Sequence, residues 1–394
     1  MLNEQLIRRV FVAASIRRWN DQASPVEFCE LDKQAHKAFL AYLLAKFEEE
    51  KGEKIDFTAL IEGFIFEFLQ RAVLTDIKPS VFHKLVSKKK KELNEFVLAK
   101  LEPEITDARF FGRMKLFLNS EEQSKEQKIL QAAHFLASNW EFDIIYNFCP
   151  TMYGVEEIKR NIQNQIEEYY ELSGVQRLML KSRTSEFVNM VGQLRFQQRW
   201  SQTPRIPKTS VLGHTLTVAI FGYLLSLGIG GCEKMRYNAF FGGLFHDLPE
   251  VLTRDIISPI KYNVEGLDEL IKEYEKELVE NEILPLLPKY LQKEILYFVE
   301  DEFADKIRDG GVKTVAHTQI MGEYNNNIHD PMFGSLSKFC DLLAAYAEAK
   351  LSIEHGISSS ELTSAVENLQ IKLTDQKYSF LSGVFDSAGF LGCR

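Results

Sequence analysis

Apolar residues recur along this chain at spacings of three and four, as in Phe39, Leu40, Leu43, Leu44 and Phe47, or Leu216, Val218, Ala219, Tyr223 and Leu224. That period puts them on one face of a helix, whereas alternating apolar and polar runs bounded by turns are scarce. An all-α fold is expected. The breaks at Pro204 and Pro207, at Gly228 to Gly231, around Pro259, and at Gly310 and Gly311 are expected to separate helices rather than strands. A chain of 394 residues can bury more than one core, and two domains is the working number.

An internal repeat supports that division. Arg18 and Trp19 are followed by His36, by a helix ending in AYLLA, and by GFIFEFLQRAVLTDIKPS; Arg199 and Trp200 are followed by His214, by a helix ending in GYLLS, and by GGLFHDLPEVLTRDIISPIK. His36 to Glu67 is 31 positions and His214 to His246 is 32. Four landmarks matched in order indicate a duplication, with domains expected at 1–180 and 181–394. The plain alternative is two unrelated helical bundles of similar composition.

The formal charge of -9 argues against wrapping a nucleic-acid polymer, which needs a positive face. The only dense basic run, Lys88 to Lys91, reads as a solvated helix face. The five cysteines include no CxxC pair and read as reduced thiols. The N-terminal residues lack a signal-peptide core, and no uninterrupted apolar run approaches the roughly 20 residues of a membrane span. A soluble, cytoplasmic protein is expected.

Chemistry concentrates in the second half. His246 and Asp247 are adjacent, offering an imidazole nitrogen and a carboxylate oxygen from one turn; a divalent ion of mixed preference needs further such ligands from other helices. His214, at the polar start of an apolar helix, and Asp341, which interrupts an apolar helix face, are the candidates. Read separately, a lone histidine is more often a hydrogen-bonded core residue, and Asp341 could simply pair with Lys338.

Together these residues resemble the HD-domain phosphohydrolase superfamily, whose signature is a histidine, a His-Asp doublet and a distant aspartate around one metal. The bacterial 5'-deoxynucleotidase branch is the nearest, through Arg199-Trp200 and the stretch HDLPEVLTRD from His246 to Asp255, followed by Pro259 and Lys261-Tyr262. The resemblance covers about residues 190 to 355. It implies one divalent ion (Mn, Co, Mg, Fe or Zn) held by His214, His246, Asp247 and Asp341. It further implies Glu250 and Asp255 as the groups acting on water and leaving oxygen, and Arg199 and Trp200 as substrate contacts.

Glu250, four residues after His246, falls on the same face if the helix continues. Without the resemblance, Glu250 reads as a solvated helix-end acid, Asp255 as a cap or turn residue, and Arg-Trp as a packed cation-π pair. Lys208, Thr209 and Ser210 are further candidates for the phosphate approach.

The implied activity is a metal-dependent nucleotide phosphohydrolase, read as a 5'-deoxynucleotidase acting on deoxyribonucleoside 5'-monophosphates. The alternatives are a triphosphate or cyclic-nucleotide phosphohydrolase and a non-catalytic nucleotide-binding regulator. The sequence departs from the branch at Gly213, where an acid is usual, and in extra length from about Asp305 to Ser335. His317 and His329 in that stretch could form a second metal site but read as solvated residues.

In the first copy His36 is aligned with His214, but Glu67 and Phe68 stand where His246 and Asp247 do, Arg71 stands for Glu250, and Asp76 for Asp255. Phenylalanine cannot ligate a metal and arginine repels one, so this copy is expected to be a degenerate HD-like domain. Packing, regulatory nucleotide binding and partner recruitment are its open uses; Arg18, Trp19 and Arg71 would suit a phosphate site without metal. The branch's dimers could be replaced here by an internal pseudo-dimer, or a homodimer retained.

Overall fold

The computed structural model describes residues 1–75, 79–254, 266–385 and 387–392. Asp76, Asp255, Pro259, Lys261, Tyr262 and Cys393 lie outside the described residues. The fold is all-α, with long helices and a few short strands. It divides into two compact units: Met1–Leu172 with Leu381–Arg394, and Ser173–Phe380. The C-terminal segment thus groups with the first unit rather than the second. Within that unit the Met1 ammonium donates to the carbonyl of Val384 at 3.0 Å, and Leu2 bridges to Phe385.

The first unit is built on helix Glu30–Glu50, buried along almost its whole length, which packs against helix Lys125–Phe148. Helices Glu4–Ser15 and Phe57–Leu74 complete the core. Their starts are set locally: Asn3 and Asp56 accept backbone N–H bonds from Leu6 and Ala59, and Ser124 forms a capping box with Gln127. Lys88 to Lys91 are exposed. The four described cysteines, Cys29, Cys149, Cys232 and Cys340, are free thiols.

The second unit is centred on helix Val211–Gly228, apolar on every side and flanked by helices Glu233–Phe245 and Gly334–Glu354. By length and hydropathy this helix could cross a membrane, but 89% of it is buried inside the fold, as for a core helix. Two glycines allow its close approach to Glu233–Phe245. A Cβ on Gly222 would meet the Ala239 carbonyl oxygen at 2.8 Å, and one on Gly243 the Ala219 Cα at 2.9 Å. Contact at backbone distance brings the start of one helix beside the end of the other.

Gly310 and Gly311 do not separate helices. They turn a hairpin between strands Asp305–Arg308 and Val312–Thr314, in register Lys306 with Thr314 and Arg308 with Val312; Met332–Phe333 pairs on the other edge of Asp305–Arg308. Gly310 takes φ +66°, which the turn requires and glycine permits. The alternation Lys306-Ile307-Arg308 is the period-two signal, too short to stand out against the helical pattern.

Candidate metal centre

Ser210 caps helix Val211–Gly228 by accepting from the Gly213 N–H at 2.9 Å, which places His214 in the first turn, fully buried. Helix Glu233–Phe245 ends immediately before His246 and Asp247. Asp341 comes from helix Gly334–Glu354, which packs on Val211–Gly228. These three elements bring the histidines together, with ring centroids 5.5 Å apart.

His214 Nε2 lies 3.1 Å from Asp341 Oδ1 and 3.9 Å from Asp247 Oδ2, and His246 Nε2 lies 3.2 Å from Asp247 Oδ2. One ligand atom each from His214, His246 and Asp341 falls within 4.8 Å of the others. Asp247 borders this group. The alternative expected for Asp341 is realised at the same time: its Oδ2 accepts from Lys338 Nζ at 2.8 Å while Oδ1 faces His214.

His246 is oriented through its other nitrogen, and His214 turns its own towards a carboxylate. His246 Nδ1 donates to the Gly243 carbonyl at 2.7 Å, leaving Nε2 buried without a hydrogen bond. His214 Nδ1 lies 3.6 Å from Glu348 Oε1. A carbonyl or carboxylate behind the ring is the placement that, with a metal bound, would hold the ligating tautomer. The donor set, two imidazole nitrogens with carboxylate oxygens, fits a divalent ion of borderline preference and leaves coordination positions for other ligands.

The electrostatics agree. Burial raises the Asp247 pKa, but His246, His214 and Arg199 outweigh it and hold the carboxyl well below its usual range. Asp341 is likewise held down, against its burial, by Lys338, His214 and His246. Burial disfavours the His246 imidazolium, yet Asp247 and Asp341 keep its pKa above the ordinary value. Lys338, Arg199 and the raised proton affinity of His246 act here as the positive charge of a divalent ion would. Nearby, burial pushes the Glu302 carboxyl up, within the field of His246 and Asp247.

Glu348, which sequence reasoning missed, organises the rest. It is buried, seven residues beyond Asp341 and so on the same helix face. It accepts from Arg199 Nε at 3.3 Å, Trp200 Nε1 at 2.8 Å and Thr209 Oγ1 at 2.8 Å. Burial works against its ionised form, but Arg199, Arg205 and His214 hold its pKa far below normal. The signal was present as a second acid on a helix face that is otherwise apolar.

Arg199 spans this glutamate and the candidate centre, its Nη1 3.8 Å from Asp247 Oδ2. Trp200 is tied through its indole N–H, with Arg205 over its ring at 6.0 Å. Thr209 and Ser210 are occupied by Glu348 and the helix cap, and Lys208 is exposed. The helix does not run straight to Glu250. Residues 246–249 turn through bonds such as Glu250 N–H to the Asp247 carbonyl at 3.1 Å, and Glu250 opens a new helical turn, Glu250–Thr253, as a buried residue. His317 and His329 belong to no ligand cluster among the described residues; they face the rings of Phe380 and Tyr324.

A model of the HD domain matches residues 191–370. The chain is 26% identical over 183 residues to a 5'-deoxynucleotidase of Pasteurella multocida, covering 44% of this chain and 76% of the relative. It is 30% identical over 135 residues to a 5'-deoxynucleotidase of Vibrio cholerae (33% of this chain, 68% of the relative). It is 31% identical over 121 residues to one of Vibrio vulnificus (29% and 60%). The chain belongs to the HD-domain family of metal-dependent phosphohydrolases. Within that family it resembles the 5'-deoxynucleotidase branch and is a nucleotide phosphohydrolase.

Proposed function

We propose that this protein is a 5'-deoxynucleotidase, hydrolysing deoxyribonucleoside 5'-monophosphates to the nucleoside and inorganic phosphate. The observation that carries the reading is the convergence of His214, His246, Asp247 and Asp341 in a chain whose relatives are named for that activity. In this reading the four side chains hold one divalent ion, Mn, Co, Mg, Fe or Zn. Such an ion supplies charge neutralisation at the phosphoryl group and an acidified water at neutral pH.

The remaining work falls to the chain. Arg199, braced by Glu348, donates to phosphate oxygens and aligns the ester. Trp200, held by the same carboxylate, limits the sugar and base positions. Glu250 and Asp255 share the proton transfers, one taking a proton from the attacking water and the other protonating the departing 5' oxygen. The unit Met1–Leu172 is read as a degenerate copy without turnover.

The deciding experiment is phosphate release from a panel of deoxy and ribo mono- and triphosphates with Mn²⁺, Co²⁺ or Mg²⁺, comparing wild type with Asp247→Ala. Metal-dependent release from deoxymonophosphates, lost in the variant, is expected. Preferential triphosphate cleavage would move the protein to a different class, and nucleotide binding without turnover under every metal would overturn the reading.

A further inference from the structure

The two units share local geometry closely enough to be compared position by position. Arg17 pairs with Cys29, and Gln198 bridges to Ser210; Cys29 and Ser210 are each the N-cap of a long buried helix. Two residues after each pairing, Trp19 and Trp200 share the uncommon φ of 56°. Both indoles donate at 2.8 Å to a buried glutamate, Glu141 and Glu348, with Arg18 and Arg199 on the same carboxylates. Thr75 and Arg254, both at positive φ, donate backbone N–H bonds to the carbonyls of Arg71 and Glu250.

This register corrects the sequence alignment. His214 stands four residues after its N-cap; the residue four after Cys29 is Lys33, not His36. His36 lies nearly a turn further along, edge-on to Trp140 at 5.1 Å. Seven residues before Glu141 and Glu348 stand His134 and Asp341. The counterparts of His214, His246, Asp247, Glu250 and Asp341 are therefore Lys33, Glu67, Phe68, Arg71 and His134.

The exchange inverts the charge. With each unit's arginine and buried glutamate included, the C-terminal set holds four carboxylates and one guanidinium, formally -3; the N-terminal set holds two carboxylates and three cations, formally +1. Glu30 and Lys37 also border this site and cancel: Glu30 pairs with Arg18 at 2.9 Å and Arg71 at 3.6 Å, and Lys37 with Glu67. Lys33 is wholly buried, and among the described residues its Nζ has one hydrogen-bond partner, His134 Nδ1 at 2.6 Å, and no carboxylate within ion-pair distance. His134 in turn sits in the field of Lys33, Lys37, Arg18 and Arg71. Burial holds the Lys33 ammonium well below its usual pKa even though Glu30 and Glu141 act in its favour, so the charged form is costly unless a further counter-charge arrives. Solvent can deliver one, because the Arg71 and Glu67 side chains are 19% and 18% exposed, matching Asp247 and Asp341 at 17% and 18%.

We propose that the N-terminal unit is a metal-free oxyanion site, taking a phosphate dianion or phosphate monoester between Lys33, His134 and Arg71. Lys33 and Arg71 donate to the anion's oxygens, and His134 donates once Nδ1, freed from Lys33, carries a proton, taken from solvent or moved from its own Nε2 by tautomer exchange. The site rests on the reading of this unit as a degenerate copy, not on the substrate assigned to the other.

Equilibrium dialysis of the full chain in EDTA, with radiolabelled inorganic phosphate in one arm and a labelled deoxyribonucleoside monophosphate in the other, tests this independently of turnover. One equivalent should bind and persist in Arg199→Gln, while Lys33→Met and Arg71→Gln each weaken it at least tenfold. Equal affinity in the two arms identifies the phosphate group as sufficient; a preference for the monophosphate identifies the ester. Circular dichroism checks that Lys33→Met folds, and Arg71→Gln, at a partly exposed position, decides the matter if it does not. No stoichiometric binding, or binding untouched by both substitutions, would overturn the proposal and leave Lys33 as an internal replacement for the metal charge.

Discussion

Glu348 connects the groups expected to hold a metal with those expected to hold a substrate, because one carboxylate receives Arg199, Trp200 and Thr209 and faces His214 Nδ1. With a metal bound, a carboxylate in that place would favour the proton on Nδ1 and leave Nε2 free to ligate. Glu348→Gln preserves shape but removes the charge, and is expected to weaken metal affinity or activity about 10–100-fold, the usual cost of losing such a partner. Metal titration followed by Trp200 fluorescence checks this; unchanged affinity would reduce Glu348 to a packing residue. In the first unit, burial and the neighbouring cations, Lys33 first, hold the His134 pKa well below its normal 6.5. Between that native value and 6.5 the unfolded chain binds a proton that the native state refuses, so stability falls as pH drops below about 6.5. Glu30, whose burial is outweighed by Arg18, Lys33 and Arg71 and whose pKa falls to about 2, adds a loss that begins near 4.5, its unfolded value, and is complete only below about 2. Urea melts in phosphate-free buffer at pH 7.5 and 5.5 should show the first decline, and His134→Gln should flatten it.

At the scale of elements, the site depends on how closely helix Val211–Gly228 meets helix Glu233–Phe245. Gly222→Ala or Gly243→Ala would drive a methyl into opposing backbone, which cannot yield as a side chain end can. Each is expected to cost about 1–3 kcal/mol by overpacking and, by moving His214 from His246, to raise the metal dissociation constant. Gly112, in helix Ala108–Asn119 with nothing within 4 Å of an added Cβ, is the control; Gly112→Ala should be neutral or stabilising by up to about 1 kcal/mol. The long helices were legible because a period near 3.6 repeats over many turns. The hairpin at Gly310 and Gly311 was not, since strands of three or four residues offer barely one period to detect. Glu250 was assigned to the face of His246 on helical spacing, and the turn through 246–249 removed that warrant while leaving the residue buried.

For the whole molecule, two units with separate cores need not unfold in one step. A metal bound only by the folded Ser173–Phe380 unit would stabilise that unit by about 2.7 kcal/mol at a hundred times its dissociation constant. Chelation is therefore expected to lower hydrogen-exchange protection in helices Val211–Gly228 and Gly334–Glu354 while helices Glu30–Glu50 and Lys125–Phe148 keep theirs; equal loss in both units would count against a single metal in the second. What the sequence determined unaided is the helical class, from periodicity, and the residue types offered to a metal, from the His-Asp doublet and the acid set into an apolar helix. Both are local properties. Tertiary structure alone decided that Lys33 rather than His36 stands opposite His134, and that Glu348 lies behind His214. A shift of three residues from the N-cap rotates a side chain by most of a turn, and a partner over a hundred residues away is chosen by packing between helices, which one-dimensional spacing does not encode.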